Sequence, residues 1–139
     1  MDKGTIEEQI IDEYTWHCKI EAESYKMMGK MLDETLIRER LDVYAISDLY
    51  IYGGAYLAAQ LYRAVKDKVN VKGIVDKEGR SAVKVDIPVI KLEELRELYQ
   101  DEKVIITPPR FYRAAKRDLS QFIAAENILF LGEFLEGLF

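Results

Sequence analysis

Short apolar runs alternate with helical patterns along residues 48–139, and this alternation constrains the fold more than any other feature of the chain. Strands that alternate with helices predict a parallel sheet with right-handed crossovers. The apolar runs show no polar alternation, as expected for strands covered by helices on both faces. The predicted strands are residues 49–52, 71–75, 87–90, 103–107 and 128–131, and the predicted helices are residues 55–66, 92–99, 110–122 and 133–139. These elements predict a three-layer α/β/α domain with about five parallel strands.

The residues before this domain have a helical pattern and predict a separate N-terminal segment. Thr5 and Glu8 have the spacing of a capping box, and a long helix over residues 6–32 is expected to follow. A second, shorter helix is predicted over residues 33–44. We therefore divide the chain into an N-terminal helical segment, residues 1–47, and an α/β domain, residues 48–139.

Small residues run along one side of the long predicted helix. Thr15, Ala22 and Gly29 recur every seven residues beside an apolar stripe. Small side chains let another backbone approach closely, so we expect this side to pack against a second helix. One hypothesis is that the contact joins two copies of the chain as a homodimer.

Composition and charge exclude several classes of protein. The net charge of −5 argues against a nucleic-acid binder, which needs a basic surface. The longest uncharged runs are far too short to span a bilayer, and the acidic N-terminus does not resemble a signal peptide. A single cysteine, Cys18, cannot form an intrachain disulfide. This usage fits a reducing compartment, so we expect a cytoplasmic protein without a membrane span.

The acidity is confined to the first part of the chain. Residues 1–48 contain 12 acidic and 6 basic residues, whereas the remainder contains 13 acidic and 14 basic residues. The α/β domain is therefore nearly neutral and could accept an anionic ligand.

A ligand site is predicted at the carboxyl ends of the strands, where parallel sheets bind ligands at the reversal of strand order. A Gly-Gly turn follows the first strand, and the next helix would direct its positive N-terminal end at an anion. Asp76 ends the second strand at close to the usual spacing for an acidic residue that binds a ribose hydroxyl. The candidate binding residues are Gly53, Gly54, Ala55, Tyr56, Asp76, Thr107 and Arg110.

The turn differs from the dinucleotide fingerprint at two positions. Counted from Gly53, the second and third glycines of that fingerprint are Ala55 and Ala58. The second glycine normally lets the backbone approach a pyrophosphate, and the Cβ of Ala55 would keep it away. Standard NAD binding is therefore disfavoured, whereas a smaller phosphate, the mononucleotide end of a sugar nucleotide or no ligand at all remain open.

Each candidate residue also has a purely structural interpretation. The Gly53-Gly54 turn is what any strand–helix junction requires, and Asp76 could cap the loop that follows it. Tyr56 could lie at a subunit contact instead of stacking on a ligand. Arg110 is the more unusual residue, because a cation at a helix start is disfavoured by the helix dipole.

No set of residues predicts a catalytic or metal centre. His17 is the only histidine, and neither it nor Cys18 belongs to a cluster with metal-ligand spacing. No serine or cysteine lies in an elbow turn with a base to serve it, which excludes a hydrolase triad. Tyr62 and Lys66 have the spacing of the short-chain reductase pair, but Tyr62 is expected to face the core.

The chain resembles a Rossmann-like module of bacterial nucleotide-sugar and polysaccharide-biosynthesis proteins. Residues 48–62 carry the resemblance, reading Asp-Leu-Tyr-Ile-Tyr-Gly-Gly-Ala-Tyr-Leu-Ala-Ala-Gln-Leu-Tyr. Similar features are the strand ending at Asp76, the Ile87-Pro88-Val89 strand and the run from Val104 to Pro108. The resemblance implies a nucleotide or nucleotide-sugar site at Gly53, Gly54 and Asp76.

These observations lead to three functional hypotheses. The first is an accessory module without its own catalytic centre that binds a nucleotide or nucleotide sugar in glycan or polysaccharide assembly. The second is a protein-interaction module that forms homo-oligomers and keeps only a vestigial crevice. The third is an NAD-dependent sugar epimerase or reductase, for which the catalytic residues are missing.

Overall fold

The computed structural model describes residues 26–53, 56–80 and 84–136 of the chain. Most of the predicted helix over residues 6–32 lies outside these ranges, although residues 26–31 are helical. Gly54 and Ala55, two of the candidate binding residues, also lie outside them. The statements below apply to the described residues.

The described strands form one five-stranded sheet in which every neighbouring pair is parallel. The strands are β1 (Asp48–Tyr52), β2 (Asn70–Val75), β3 (Val89–Ile90), β4 (Lys103–Ile106) and β5 (Ile128–Phe130). Their order across the sheet is β3-β2-β1-β4-β5. Because helices flank this sheet, the predicted Rossmann-like α/β fold is confirmed.

Besides the helical residues 26–31, five α-helices are described, and they follow the predicted order along the chain. They are α1 (Glu34–Val43), α2 (Tyr56–Val65), α3 (Leu92–Leu98), α4 (Tyr112–Leu119) and α5 (Leu131–Glu136). The helix predicted over residues 110–122 is wrong at both ends. A 3-10 turn occupies Pro109–Phe111 in place of its start, and α4 ends at Leu119.

Side chains of alternate strand residues fill two apolar layers on opposite faces of the sheet. In β1, Leu49 and Ile51 belong to one layer, whereas Tyr50 and Tyr52 belong to the other. The layer that contains Leu49 is closed by α1, α2 and α5. The layer that contains Tyr50 is closed by α3 and α4. The sheet therefore separates α2 from α4.

The described part of the N-terminal segment packs into the first of these layers. Met27, Met31, Ile37 and Leu41 are all buried there. Asp33 caps α1 by accepting a hydrogen bond of 3.1 Å from the Leu36 N–H. This part of the segment thus shares a core with the sheet, and the division of the chain at residue 48 stays a prediction.

The side of the N-terminal helix that carries Gly29 is open in the described structure. A Cβ built on Gly29 meets no described atom within 4 Å. Leu32, near it in sequence, is 77% exposed. The helix that we expected to pack on this side is therefore not among the described elements.

Candidate functional site

The carboxyl ends of β1 and β4 form the point at which the strand order reverses. β1 pairs with β4, and Tyr52 is opposite Ile106 at the ends of the two strands. The chain leaves β1 toward α2 on one face and leaves β4 toward α4 on the other. Connections that diverge to opposite faces open a crevice at this position, which we call the switch point.

Gly53 ends β1 in a conformation that only glycine adopts easily. Its φ is +124°, and its N–H donates a 2.8 Å hydrogen bond to the Val75 carbonyl. A Cβ at this position would lie 2.5 Å from Thr107 Oγ1 and 3.0 Å from Pro108 Cδ. Position 53 therefore has no room for a side chain, because the chain that leaves β4 passes directly against it.

Thr107 fixes the other side of the switch point. It is buried, and both its N–H and its hydroxyl donate to the Tyr52 carbonyl, at 3.0 and 2.9 Å. The hydroxyl proton is thus used in joining β4 to β1. Thr107 holds the turn at Gly53 in place, and its contact with a ligand stays a prediction.

Asp76 lies at the end of β2, where its carboxylate closes the following loop. Its Oδ2 atom accepts hydrogen bonds from the N–H groups of Glu78, at 2.9 Å, and Arg80, at 3.3 Å. The Asp76 carbonyl accepts a third bond from the Gly79 N–H. These contacts match the loop-capping interpretation of Asp76, and its Oδ1 atom receives no hydrogen bond from the described residues.

Replacing Asp76 with alanine is expected to loosen the loop after β2. The N–H groups of Glu78 and Arg80 lose their acceptor, so their amide hydrogens should exchange faster with solvent, at a cost of about 1 kcal/mol in stability. Asp76→Asn is the matched control because it keeps a side-chain oxygen. Unchanged exchange at both amides in the alanine variant would show that the carboxylate does not cap this loop.

Tyr56 and Arg110 are exposed on the two sides of the switch point. Tyr56 is the first residue of α2 and is 50% exposed. Arg110 lies in the 3-10 turn after β4, two residues before α4 begins. Its side chain makes no ion pair or hydrogen bond with a described residue.

The two helices that start at the switch point share a charge pattern that the other three lack. Neither α2 nor α4 has an acidic residue in its first turn. The first turns of the other helices contain Glu34 in α1, Glu93 and Glu94 in α3, and Glu133 in α5. Acidic residues at a helix start neutralise its positive end. At the switch point that positive end is left without such a side chain.

Aromatic packing fills the carboxyl end of β5. The Tyr112 and Phe130 ring centroids lie 4.8 Å apart. Gly132 allows this packing, because a Cβ there would lie 2.7 Å from Phe130 Cε2. Leu131 and Gly132, which directly follow β5, are buried at the start of α5. The exposed candidate residues thus follow β1 and β4.

Tyr62 has the environment of a structural tyrosine. It is buried in α2, and a hydrogen bond to the Asp86 carboxylate, reinforced by burial, raises the pKa of Tyr62 to about 12. A catalytic tyrosine of a reductase requires the opposite shift, because it must exchange its proton near neutral pH. The hydrogen bond ties the loop between β2 and β3 to α2.

Sequence reasoning missed two groups of polar residues. Glu102 is buried at the amino edge of the sheet and pairs with Lys72 at 2.6 Å. Arg113 and Arg117 lie on the exposed face of α4. Within the described residues, no group of three His, Cys, Asp or Glu side chains could hold a metal ion. None of the helices described here is both long and apolar enough to cross a membrane.

Comparison with known proteins does not place the chain in a family: no protein-family model, curated protein or solved structure matches it.

Proposed function

We propose that the protein is a binding module for a phosphate-bearing small molecule, a nucleotide or nucleotide sugar, and that the phosphate binds at the switch point. The single observation that supports this most is the charge pattern there. The helices α2 and α4 both start without an acidic residue, and Arg110 is exposed beside the start of α4. A helix N-terminus offers unpaired N–H groups and a partial positive charge to an anion.

The turn at Gly53 brings the chains that leave β1 and β4 into direct contact at the proposed site. Because Thr107 and Pro108 press against Gly53, the chain has no side chain at this point of the crevice. The Asp76 Oδ2 atom accepts hydrogen bonds from the loop, and in the proposed complex the Oδ1 atom, which accepts none from the described residues, would accept one from a ribose hydroxyl. In this arrangement a phosphate is bound by backbone N–H groups and Arg110, and a ribose lies toward β2.

The proposed function is binding alone, without a catalytic role for Thr107 or Tyr62. Thr107 donates to a carbonyl, and Tyr62 is buried with a raised pKa. We therefore propose an accessory role in glycan or polysaccharide assembly, as the resemblance at residues 48–62 implies. A cytoplasmic location, suggested by the single cysteine, belongs to the same proposal.

Calorimetric titration tests the proposal directly. The full chain is titrated with UDP, GDP, UDP-glucose, GDP-mannose, pyrophosphate and NAD. We expect at least one nucleotide or nucleotide sugar to bind and NAD to bind most weakly, because the turn departs from the dinucleotide fingerprint at positions 55 and 58. The absence of binding by every probe at millimolar concentration would contradict the proposal.

The Arg110→Ala variant tests where the ligand binds. Loss of one charge-assisted hydrogen bond should weaken binding of the best nucleotide by about tenfold. Arg63→Ala is the control, because Arg63 is exposed in the last turn of α2, at the end of that helix away from the switch point. Equal affinities for the Arg110 and Arg63 variants would show that the ligand lies elsewhere.

A further inference from the structure

The outward face of α4 carries three basic side chains. Arg113 and Arg117 are one turn apart, on the side opposite the buried Ala115, and Lys116 lies next to them. All three are exposed. We call Arg113, Lys116 and Arg117 the basic face.

Two of these three side chains have no polar partner among the described residues. Arg113 and Arg117 make no ion pair or hydrogen bond with a described residue. Lys116 Nζ lies 5.7 Å from the centroid of the Tyr112 ring. Like charges four residues apart repel each other on a helix, and a cation in the first turn opposes the dipole. Arg113 thus acts against the stability of α4, whereas Lys116 and Arg117 lie in its last turn, where the dipole favours a cation.

The chain contains a segment of opposite charge. Residues 1–25 hold seven acidic residues and two basic ones, so this segment alone accounts for the net charge of −5. The other 114 residues contain equal numbers of acidic and basic side chains. The acidic residues of the segment are Asp2, Glu7, Glu8, Asp12, Glu13, Glu21 and Glu23.

The acidic segment joins the domain at residues 26–31, and the position of these residues shows on which face of the sheet the segment begins. Met27 and Met31 are buried in the layer closed by α1, α2 and α5. Lys30 Nζ lies 3.7 Å from Glu136 Oε1 in α5. The basic face is on the other side of the sheet, because α4 closes the opposite layer. The segment therefore joins the domain on the face away from α4 of its own copy.

We propose that residues 1–25 of one copy bind the basic face of α4 in a second copy. The reciprocal contact closes a symmetric dimer, since each copy supplies one acidic segment and one basic face. Single exposed ion pairs contribute little, so the dimer depends on several pairs acting together. Exposed pairs are screened by salt, and the association should weaken as ionic strength rises.

Sedimentation velocity of the full chain tests the proposal at low and high salt. At low salt we expect a species of twice the 16.1 kDa chain mass, and at high salt the chain mass itself. The double variant Arg113→Glu, Arg117→Glu should raise the dissociation constant at least tenfold. It is expected to fold, because both positions are exposed and neither side chain contributes to the core. The control is Arg63→Glu with Lys66→Glu, at exposed positions at the end of α2 and just after it.

A charge exchange identifies the partner segment. The variant Glu7→Lys, Glu8→Lys, Asp12→Lys, Glu13→Lys should also be monomeric by itself. Mixed with the Arg113→Glu, Arg117→Glu variant, it should form a one-to-one complex, because a glutamate face then meets a lysine segment. The proposal would be overturned if the wild type were a monomer at low salt. It would also be overturned if the Arg113→Glu, Arg117→Glu variant still formed the dimer, or if the two variants formed no complex when mixed.

Discussion

Replacing Gly53 with alanine is expected to lower the free energy of unfolding by about 2–3 kcal/mol. The φ of +124° is a conformation that L-residues rarely adopt. The added Cβ would also lie 2.5 Å from Thr107 Oγ1, which is buried and hydrogen-bonded to the Tyr52 carbonyl. The measurement is urea unfolding of the variant and the wild type, followed by circular dichroism.

Gly29 supplies the matched control for this substitution. It is exposed, and a Cβ there meets no described atom within 4 Å. Because alanine favours a helix more than glycine does, Gly29→Ala should raise stability by up to about 1 kcal/mol. Thr107→Ala in the Gly53→Ala background removes Thr107 Oγ1, the atom that the new Cβ would crowd. The double variant should therefore lose less unfolding free energy than the sum of the losses in the two single variants. Strictly additive losses would show that Gly53 and Thr107 do not meet.

Replacing Glu102 with alanine is expected to destabilise the protein by about 2–4 kcal/mol. The carboxylate is buried, and it accepts hydrogen bonds from Lys72 Nζ and from the Gln100 N–H, both at 2.6 Å. Removing it leaves the Gln100 N–H without an acceptor and opens a small cavity. The lower end of this range applies if water reaches Lys72, whose side chain is 31% exposed.

The same ion pair predicts how stability depends on pH. Burial by itself would raise the pKa of Glu102, but hydrogen bonds from Lys72 and from backbone N–H groups outweigh it and hold the pKa below its ordinary value. The unfolded chain therefore takes up the proton first as pH falls. The stabilisation from Glu102 is complete above the unfolded pKa, near 4.5, and is lost as the pH falls through the lower folded pKa.

Glu102→Gln isolates the charge, because glutamine keeps an oxygen for the Gln100 N–H. Denaturant unfolding of this variant and the wild type should differ most near pH 7, with the difference shrinking in acid below pH 4.5. A difference that stays constant from neutral to acidic pH would mean that the carboxylate charge does not stabilise the fold.

Periodicity predicts most of this fold because burial determines strands and helices locally. Runs such as Val104 to Ile106 are wholly apolar since both faces of the sheet are covered. The ends of helices are less predictable, because they depend on backbone conformation as well as on burial. The start of α4 moves from the predicted residue 110 to Tyr112, after a 3-10 turn that has a proline at its first position and no side-chain cap.

The candidate site is predictable in position but not in detail. Gly53 lies at the switch point as the turn signal indicates, yet its partners Thr107 and Pro108 are more than 50 residues away in sequence. Asp76 has the spacing of a ribose-binding acid, and it also caps its own loop. Sequence spacing alone cannot distinguish a ligand-binding carboxylate from a loop-capping one. The Lys72–Glu102 pair spans 30 residues and follows no motif, so only the fold brings it together.

Nuclear magnetic resonance titration of the full chain with the tightest-binding nucleotide tests the central claim most directly. If the phosphate binds at the switch point, the largest amide shifts should occur at Gly53 and Tyr56 and at Arg110 and Phe111. Amides at the opposite edge of the sheet, such as Lys103, should not shift. Shifts confined to the amino edge, or no shifts at saturating nucleotide, would contradict a phosphate site at the ends of β1 and β4.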